Sequence, residues 1–232
     1  MTLYRLNPSS EFPDPRMAEQ SGLLAVGGDL SLPRLLRAYA TGIFPWYSEV
    51  DPILWWSPPE RALILPGQEH LSRRTQRALK GAGFELRVDT CFAEVIAACA
   101  RVPRSGQDGT WITAEMQHAY LDLHREGFAH SFETFFEGEL VGGLYGVSLG
   151  AAFFGESMFS QVAYASRAAF SALCQRAWDW NFQFIDGQLP NENLRQLGAQ
   201  VMTRELFLQR LARAMAAPTR RGCWASRNTL RC

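Results

Sequence analysis

Two polar residues at the end of an apolar segment are the first candidates for chemistry in this chain of 232 residues. The segment 181–188 is typical of a strand, and period-2 alternation places Asp186 and Gln188 on one face. The same alternation places Phe182 and Phe184 below them. A carboxylate can hold or deprotonate an amine, and a carboxamide both donates and accepts hydrogen bonds. The pattern indicates either a polar site at the end of a buried strand or a strand-end Asp that serves as a turn or cap residue.

A third candidate, Glu156, follows the apolar run 151–154 and a glycine. A carboxylate in this position is either a buried polar anchor or part of a site, and Gly155 permits close approach of the backbone. The residue order is not that of a GxSxG nucleophile elbow, and neither a Walker motif nor GxGxxG occurs. The four histidines lack HExxH spacing, so no metal site is predicted.

The basic residues are clustered although the formal net charge is zero. Residues 70–104 carry 7 basic and 3 acidic side chains, and residues 207–232 carry 6 basic and no acidic ones. Zero net charge therefore excludes a uniformly basic protein but not a polyanion-binding surface. Four cations in the first cluster are spaced so that most share one helical face, which indicates either a phosphate-binding surface or a solvated helix face. They are Arg73, Arg74, Arg77 and Lys80.

Four of the seven tryptophans lie in or beside predicted loops, namely Trp46, Trp55, Trp56 and Trp111. Such side chains either join two small domains or stack on nucleobases. Base stacking is sequence-tolerant and contributes roughly 1–3 kcal/mol per base.

The secondary-structure pattern changes near residue 62, which predicts a small N-terminal domain over 1–62 and a larger domain over 63–232. In the first domain, Ser31 as N-cap and Pro33 in the first turn predict a helix that ends near Gly42. From residue 70 onward, helices alternate with short strands, which predicts a mixed α/β (α+β) fold with a mostly antiparallel sheet. The predicted helices cover 70–80, 91–101, 113–126, 165–180 and 203–216, and a polar loop covers 103–110. The predicted strands cover 61–65, 84–88, 130–137, 139–147, 149–155 and 181–188.

The cysteines and the N-terminal residues indicate where in the cell the protein is located. The five cysteines form no CxxC pair, which is typical of reduced thiols. The N-terminus lacks the apolar stretch of a signal peptide, and no apolar run approaches the roughly 20 residues that span a bilayer. We expect a cytoplasmic protein without a membrane-spanning segment.

Eight segments match, in order and over nearly the whole chain, the motifs of one family. They are Gly22-Leu-Leu-Ala-Val-Gly-Gly-Asp-Leu30, Gly42-Ile-Phe-Pro-Trp-Tyr47, Pro52-Ile-Leu-Trp-Trp-Ser-Pro58, Gly109-Thr-Trp-Ile-Thr113, His130-Ser131, Glu139-Leu-Val-Gly-Gly-Leu-Tyr-Gly146, Gly155-Glu-Ser-Met-Phe-Ser160 and Phe184-Ile-Asp-Gly-Gln188. With these motifs the chain resembles the leucyl/phenylalanyl-tRNA–protein transferases.

The resemblance implies an enzyme that takes Leu or Phe, and less readily Met, from aminoacyl-tRNA. It attaches the residue to the N-terminal Arg or Lys of a protein and so marks that protein for N-degron degradation. The resemblance also implies a monomer that uses no metal or other cofactor, with a small N-terminal domain and a GNAT-like (acyl-CoA N-acyltransferase-like) catalytic domain. The reaction is aminolysis of an activated ester, in which the amine loses a proton and an oxyanion is stabilised.

Roles for the candidate residues follow from the resemblance. Asp186 orients or deprotonates the acceptor amine, Gln188 hydrogen-bonds near the scissile ester, and Glu156 supports the polar site. Because a neutral carboxamide is a very poor base, we expect Gln188 to position groups. The expected donor side-chain pocket consists of Leu144, Phe153, Phe170 and Leu173. The expected adenosine contacts are Trp46 and Trp111, and the expected contacts to the tRNA backbone are Arg73, Arg74, Arg77 and Lys80.

Several residues depart from the usual family pattern, and we expect them near the acceptor side of the site. Gly187 replaces a common Cys, which argues against a catalytic thiol at this position. Asn193 stands in place of His, Thr203 in place of Pro, and Arg167 in place of Lys. These differences concern acceptor preference more than the donor or the tRNA.

Three other functions are compatible with parts of this pattern. A related aminoacyl-tRNA-dependent enzyme that acts on peptidoglycan precursors would share the donor but not the acceptor. A non-catalytic tRNA-binding module is disfavoured by the intact Asp186, Gln188 and Glu156. A CoA-dependent N-acetyltransferase would need a glycine-rich pyrophosphate loop before a helix, and the sequence contains none.

Overall fold

The computed structural model describes residues 3–102 and 110–225 and the backbone of residues 230–231. Within these residues the chain forms a small sheet, a large sheet and helices on both faces of the large sheet. The predicted loop over 103–110 lies, except for Thr110, outside the described residues.

The N-terminal part contains a four-stranded sheet and one α-helix. The strands are β1 (Tyr4–Leu6), β2 (Leu23–Gly27), β3 (Phe44–Pro45) and β4 (Leu54–Trp56), in the order β1-β2-β4-β3. The helix α1 (Leu32–Ala40) follows Ser31 and has Pro33 in its first turn, which confirms the predicted helix. Gly42 lies just beyond its end with a φ of 83°, a conformation that favours glycine. A single 3-10 turn occupies Pro15–Met17. The four short strands were not predicted.

The large sheet has eight strands in the order β11-β5-β10-β9-β8-β7-β6-β12. Within this sheet, among the described residues, β9 and β10 pair in parallel and every other pair is antiparallel. The predicted mixed, mostly antiparallel sheet is therefore confirmed. The strands are β5 (Glu60–Ile64), β6 (Glu85–Val88), β7 (Ala129–Phe136), β8 (Glu139–Leu149), β9 (Ala152–Ser160), β10 (Phe184–Asp186), β11 (Gln200–Thr203) and β12 (Leu230–Arg231).

Helices bury their apolar residues against both faces of this sheet. Three helices contribute to the core on one face: α2 (Arg73–Gly81), α5 (Ala165–Asp179) and α6 (Glu192–Gln196). The core on the other face includes α1, α3 (Phe92–Arg101), α4 (Ala114–Arg125) and α7 (Arg204–Met215). All five helices predicted beyond residue 70 are confirmed to within a few residues, whereas α6 and β11 were not predicted.

The end of the predicted strand over 181–188 differs from expectation. Only Phe184–Asp186 forms a strand, because the N–H of Phe182 donates to the carbonyl of Ala177 and closes the end of α5. Phe182 and Phe184 consequently belong to cores on opposite faces, so the prediction that they share a face is wrong. Gln188 lies beyond the strand with a φ of 64°.

The change from the small sheet to the large one occurs between Trp56 and Glu60. One apolar core contains residues from both sheets, including Trp55 of β4 and Phe154 of β9. The domain boundary at residue 62 therefore stays a prediction. No described helix is long and apolar enough to cross a bilayer.

Candidate active site

A β-bulge directs Glu156 out of the regular pairing of β9. In the neighbouring strand β8, Tyr145 pairs with Ser157 and Gly146 pairs with Gly155, so Glu156 is the additional residue between two pairs. A bulge bends its strand and redirects the side chain of the extra residue. The Glu156 carboxylate is thereby placed among polar side chains from three separate parts of the chain.

Three side chains donate hydrogen bonds to Glu156. The hydroxyl of Tyr39, near the end of α1, donates to Oε1 at 2.8 Å, and that of Tyr120, on α4, donates to Oε2 at 2.9 Å. Gln188 Nε2 also donates to Oε1, at 2.8 Å. The two tyrosine hydroxyls contact each other as well. Glu156 therefore joins the N-terminal part, the helix α4 and the segment after β10.

Burial sets the protonation behaviour of this cluster. It raises the pKa of Glu156 to about 7, against the opposing effect of the hydrogen bonds from Tyr39 and Tyr120. Burial also raises the pKa of both tyrosines well above the usual value. The tyrosines consequently remain hydroxyl donors at neutral pH, while Glu156 titrates close to it.

Asp186 is completely buried and pairs with Arg61 of β5. Arg61 Nη2 donates to Asp186 Oδ2 at 2.7 Å, and Arg61 Nε lies 3.0 Å from both carboxylate oxygens. Oδ1 also accepts the backbone N–H of Gln188 at 2.8 Å. In this arrangement the carboxylate holds the backbone of Gln188 in place. A direct contact between Asp186 and an acceptor amine stays a prediction.

A cavity of about 260 Å³ adjoins these carboxylates. Of the four residues expected in the donor pocket, Leu144, Phe170 and Leu173 line it. Phe153 is not among the lining residues, since its ring packs against Phe132 and Trp224. The lining also includes Ile64, Met158, Ile185, Leu194, Leu197, Glu156 and Asp186. The cavity therefore combines an apolar wall with the carboxylates of Glu156 and Asp186.

The two tryptophans expected to contact adenosine differ in position. Trp111 lines the cavity, at the approach to α4. Trp46 is not among its lining residues, and its ring instead packs edge-on against Trp56 with centroids 5.6 Å apart. A hydrogen bond from Trp56 Nε1 to the carbonyl of Trp46 fixes this pair. The nucleoside-binding roles of Trp46 and Trp111 stay predictions.

The four cations predicted to contact tRNA form an exposed surface on α2, which we call the α2 basic surface. Leu79 anchors the opposite side of the helix in the core. No member of the α2 basic surface forms a salt bridge with another described residue. By contrast, Arg221 in the C-terminal cluster pairs with Glu126, and Arg220 packs over Trp180.

No three His, Cys, Asp or Glu side chains in the described parts of the chain come together to hold a metal ion. A second cluster of polar side chains surrounds the buried Glu133, which does not line the cavity. Its pKa is raised to about 7 by burial, and it accepts hydrogen bonds from Ser131 and Thr90. The pKa values of Glu133 and Glu156 are thus both raised to about 7, and of these two residues Glu156 lines the cavity.

Comparison with known proteins identifies the family. The model described as leucyl/phenylalanyl-tRNA protein transferase matches residues 63–212, and the model of its N-terminal domain matches residues 28–59. The chain belongs to this family. A leucyl/phenylalanyl-tRNA–protein transferase of Myxococcus xanthus (strain DK1622) is 55% identical over 226 residues, which cover 97% of each chain. Another, of Desulfatibacillum aliphaticivorans, is 50% identical over 225 residues, again 97% of each.

Likeness to solved structures is lower. A ribosomal-protein-alanine N-acetyltransferase from Brucella melitensis biovar Abortus 2308 is 15% identical and has a TM-score of 0.36. The match covers 50% of the present chain and 87% of that chain.

Several departures from the family pattern contact one another or the cavity. Arg167 Nη2 donates to Asn193 Oδ1 at 2.8 Å, and Asn193 lines the cavity. At Gly187, an added Cβ would lie only 2.7 Å from both δ-carbons of Leu194, another lining residue. Thr203 caps α7 by accepting a hydrogen bond from the N–H of Leu206.

Sequence reasoning did not identify Arg61, Tyr39 or Tyr120 as members of this site. Tyr39 belongs to the apolar stripe of its helix, and Tyr120 to a buried stripe of α4. Arg61 carried the clearest signal, because it opens the otherwise apolar strand of residues 61–65. Arginine is rarely fully buried without a partner.

Proposed function

We propose that this chain transfers Leu or Phe, and less readily Met, from aminoacyl-tRNA to the N-terminal Arg or Lys of proteins. The observation that carries the proposal is the apolar cavity beside the Glu156–Gln188 hydrogen bond, in a chain of this family. A cavity of this kind can hold an aliphatic or aromatic side chain, and it disfavours charged ones through the cost of desolvation.

In the reaction, the acceptor nitrogen attacks the carbonyl carbon of the aminoacyl ester and forms an amide bond. The tetrahedral intermediate collapses by releasing the 3′ oxygen of the tRNA ribose, which receives a proton originating from the amine. Gln188 is held at its backbone by Asp186 and at its side chain by Glu156. This double support favours a positioning role for Gln188, because precise placement of reacting groups can supply several kcal/mol of the barrier reduction, about 7–11 in favourable cases.

The tRNA body is proposed to lie on the α2 basic surface. Exposed cations without salt-bridge partners can neutralise phosphates and release counterions. The acceptor brings a positive charge, which suits the acidic balance of residues 105–206, with 12 acidic and 5 basic side chains. We propose that the protein acts as a monomer in the cytoplasm. The acceptor proteins that receive Leu or Phe are marked for N-degron degradation.

A transfer assay tests this function. The protein is incubated with radiolabelled Leu-tRNA and a protein that begins with Arg, beside the same protein with an acetylated N-terminus. Label is expected only on the free amine. Transfer to a lipid-linked peptidoglycan precursor instead, or no transfer to either acceptor, would overturn the proposal. The Gln188→Ala variant should retain tRNA binding and lose about 10²-fold in kcat, comparable to the loss of one positioned donor.

A further inference from the structure

Arg61 is a buried cation whose donors reach two separate segments around the site. Its side chain is only 1% exposed. Beyond the two oxygens of Asp186, it donates from Nη1 to the carbonyl of Gly42 at 3.2 Å. Its guanidinium carbon lies over the rings of Phe44 and Phe207, 4.8 Å and 4.4 Å from their centroids. The fork is therefore fixed by hydrogen bonds at its rim and by aromatic rings beside it.

Burying such an ion pair is costly, since removing two charges from water offsets much of their mutual attraction. An apolar pair of similar volume would often stabilise the fold equally well. A buried ion pair is therefore weak evidence for a purely stabilising role, and the position of the two partners of Arg61 points to a further one.

The two residues that accept hydrogen bonds from Arg61, Gly42 and Asp186, are each hydrogen-bonded to a residue that contacts Glu156. Gly42 follows the end of α1, and its N–H donates to the carbonyl of Tyr39. Asp186 holds the backbone N–H of Gln188. Tyr39 and Gln188 are the two side chains that donate to Oε1 of Glu156.

We propose that Arg61 is a positioning residue that holds Tyr39 and Gln188 in register on Glu156, and so aligns the site without touching substrate. The strand register supports this arrangement. The N–H of Ala62 donates to the carbonyl of Gln188 at 2.9 Å, so β5 carries Arg61 directly alongside the Gln188 segment. The role rests on the proposed function, in which Gln188 positions the reacting groups.

A double-mutant cycle tests this role. Arg61→Lys keeps the positive charge but loses the planar fork, since one ammonium cannot reproduce the fork's fixed geometry toward both Asp186 oxygens and Gly42. The variant should lose about 10-fold in kcat per mole of folded protein, with the KM for Leu-tRNA changed less than about 3-fold. In the Gln188→Ala background the same substitution should have little further effect, because two residues that act through one interaction are not additive.

Arg34 supplies a matched control. It is also buried, at 7% exposure, and it donates to the carbonyls of Asn7, Pro8 and Ser10. Arg34→Lys should leave kcat per folded molecule unchanged and should show no coupling to Gln188→Ala.

The outcomes separate the two proposals. Full additivity of Arg61→Lys and Gln188→Ala, or a wild-type kcat in Arg61→Lys, overturns the positioning role while transfer by the wild type stands. Absence of transfer by the wild-type protein overturns the proposed function itself. An Arg61→Lys variant that unfolds is replaced by Arg61→Gln, whose amide can still donate, and the same cycle decides the role.

Discussion

Gln188 and Glu156 are 32 residues apart in sequence and are joined by a hydrogen bond of 2.8 Å from Nε2 to Oε1. The ionised carboxylate can accept from Tyr39, Tyr120 and Gln188 at once, whereas the protonated form must itself donate one bond. Protonation of Glu156 therefore changes the hydrogen-bond cluster to which Gln188 belongs.

The first prediction concerns the pH dependence of transfer. Because burial raises the pKa of Glu156 to about 7, the ionised form becomes dominant as the pH rises through this value. We expect kcat, measured in single turnovers with saturating substrates, to increase through about pH 7. Glu156→Gln should remove that increase and lower kcat at pH 8 by about 10-fold, because a carboxamide offers one acceptor oxygen instead of two.

Glu133→Gln is the matched control, since Glu133 has a similarly raised pKa but does not line the cavity. The pH dependence of kcat in Glu133→Gln should be the same as in the wild type. An increase that persists unchanged in Glu156→Gln would instead belong to the acceptor α-amine, whose ordinary pKa is about 7.7–8.0.

The second prediction concerns stability. The pKa values of Glu156 and Glu133 are higher in the folded protein than in the unfolded chain. At pH values between the two, each carboxyl therefore binds more protons in the folded protein than in the unfolded chain. The free energy of unfolding should therefore fall as the pH rises from about 4.5 to about 7, by on the order of 2 kcal/mol for each carboxyl. Urea denaturation at several pH values measures this slope. Each Glu→Gln variant should be less pH-dependent than the wild type, and an unchanged slope in both variants would refute the assignment.

The third prediction concerns Gly187 and donor preference. Gly187→Cys places a Cβ against the δ-carbons of Leu194, a flexible side chain that can move. Because both residues line the cavity, a displaced Leu194 should narrow it and reduce kcat/KM for Phe-tRNA relative to Leu-tRNA by about 10-fold, the scale of a small steric change in an apolar pocket.

Leu194→Ala in the Gly187→Cys background serves as the control. It removes the side chain that the new Cβ displaces, so the preference should return toward that of the wild type. A ratio unaffected by Gly187→Cys would show that the donor side chain does not occupy this part of the cavity.

The fourth prediction concerns the α2 basic surface. Arg73→Glu/Arg74→Glu should weaken tRNA binding and reduce the slope of log K against log salt by about 1–2, corresponding to one or two lost phosphate contacts. Fluorescence anisotropy at several salt concentrations measures both quantities. Arg125→Glu, on the exposed end of α4 across the sheet, is the control and should leave the slope unchanged. Equal effects of both variants would point to nonspecific charge repulsion.

The sequence was sufficient for features that depend on local patterns. The predicted strands over 130–137 and 139–147 form a hairpin, and its turn at Glu137 and Gly138 has φ values of 52° and 86°, as a two-residue type I′ turn requires. The helices α3, α4 and α5 lie within a few residues of the ranges that the alternating pattern of elements predicts. The mostly antiparallel sheet followed from the same pattern of elements.

The site was only partly predictable because its partners are distant in sequence. Asp186 and Arg61 are 125 residues apart, and Tyr39 and Glu156 are 117 apart. No periodicity links such pairs, and a tyrosine in an apolar stripe gives no sign that its hydroxyl is used. The predicted strand over 181–188 is longer than β10, which covers Phe184–Asp186. The reason is that aromatic residues in a turn between a helix and a strand resemble those of a strand.

The bulge at Glu156 makes the number of residues in β9 as important as their identity. With Gly155 and Ser157 both paired to β8, deleting one residue here would close the ladder and leave no unpaired position for a carboxylate. Replacing Glu156 removes one functional group, whereas deleting it also removes the bulge, because Gly155 and Ser157 would then follow each other in regular pairing with Gly146 and Tyr145. Segment length at this point of the chain is thus itself a determinant of activity.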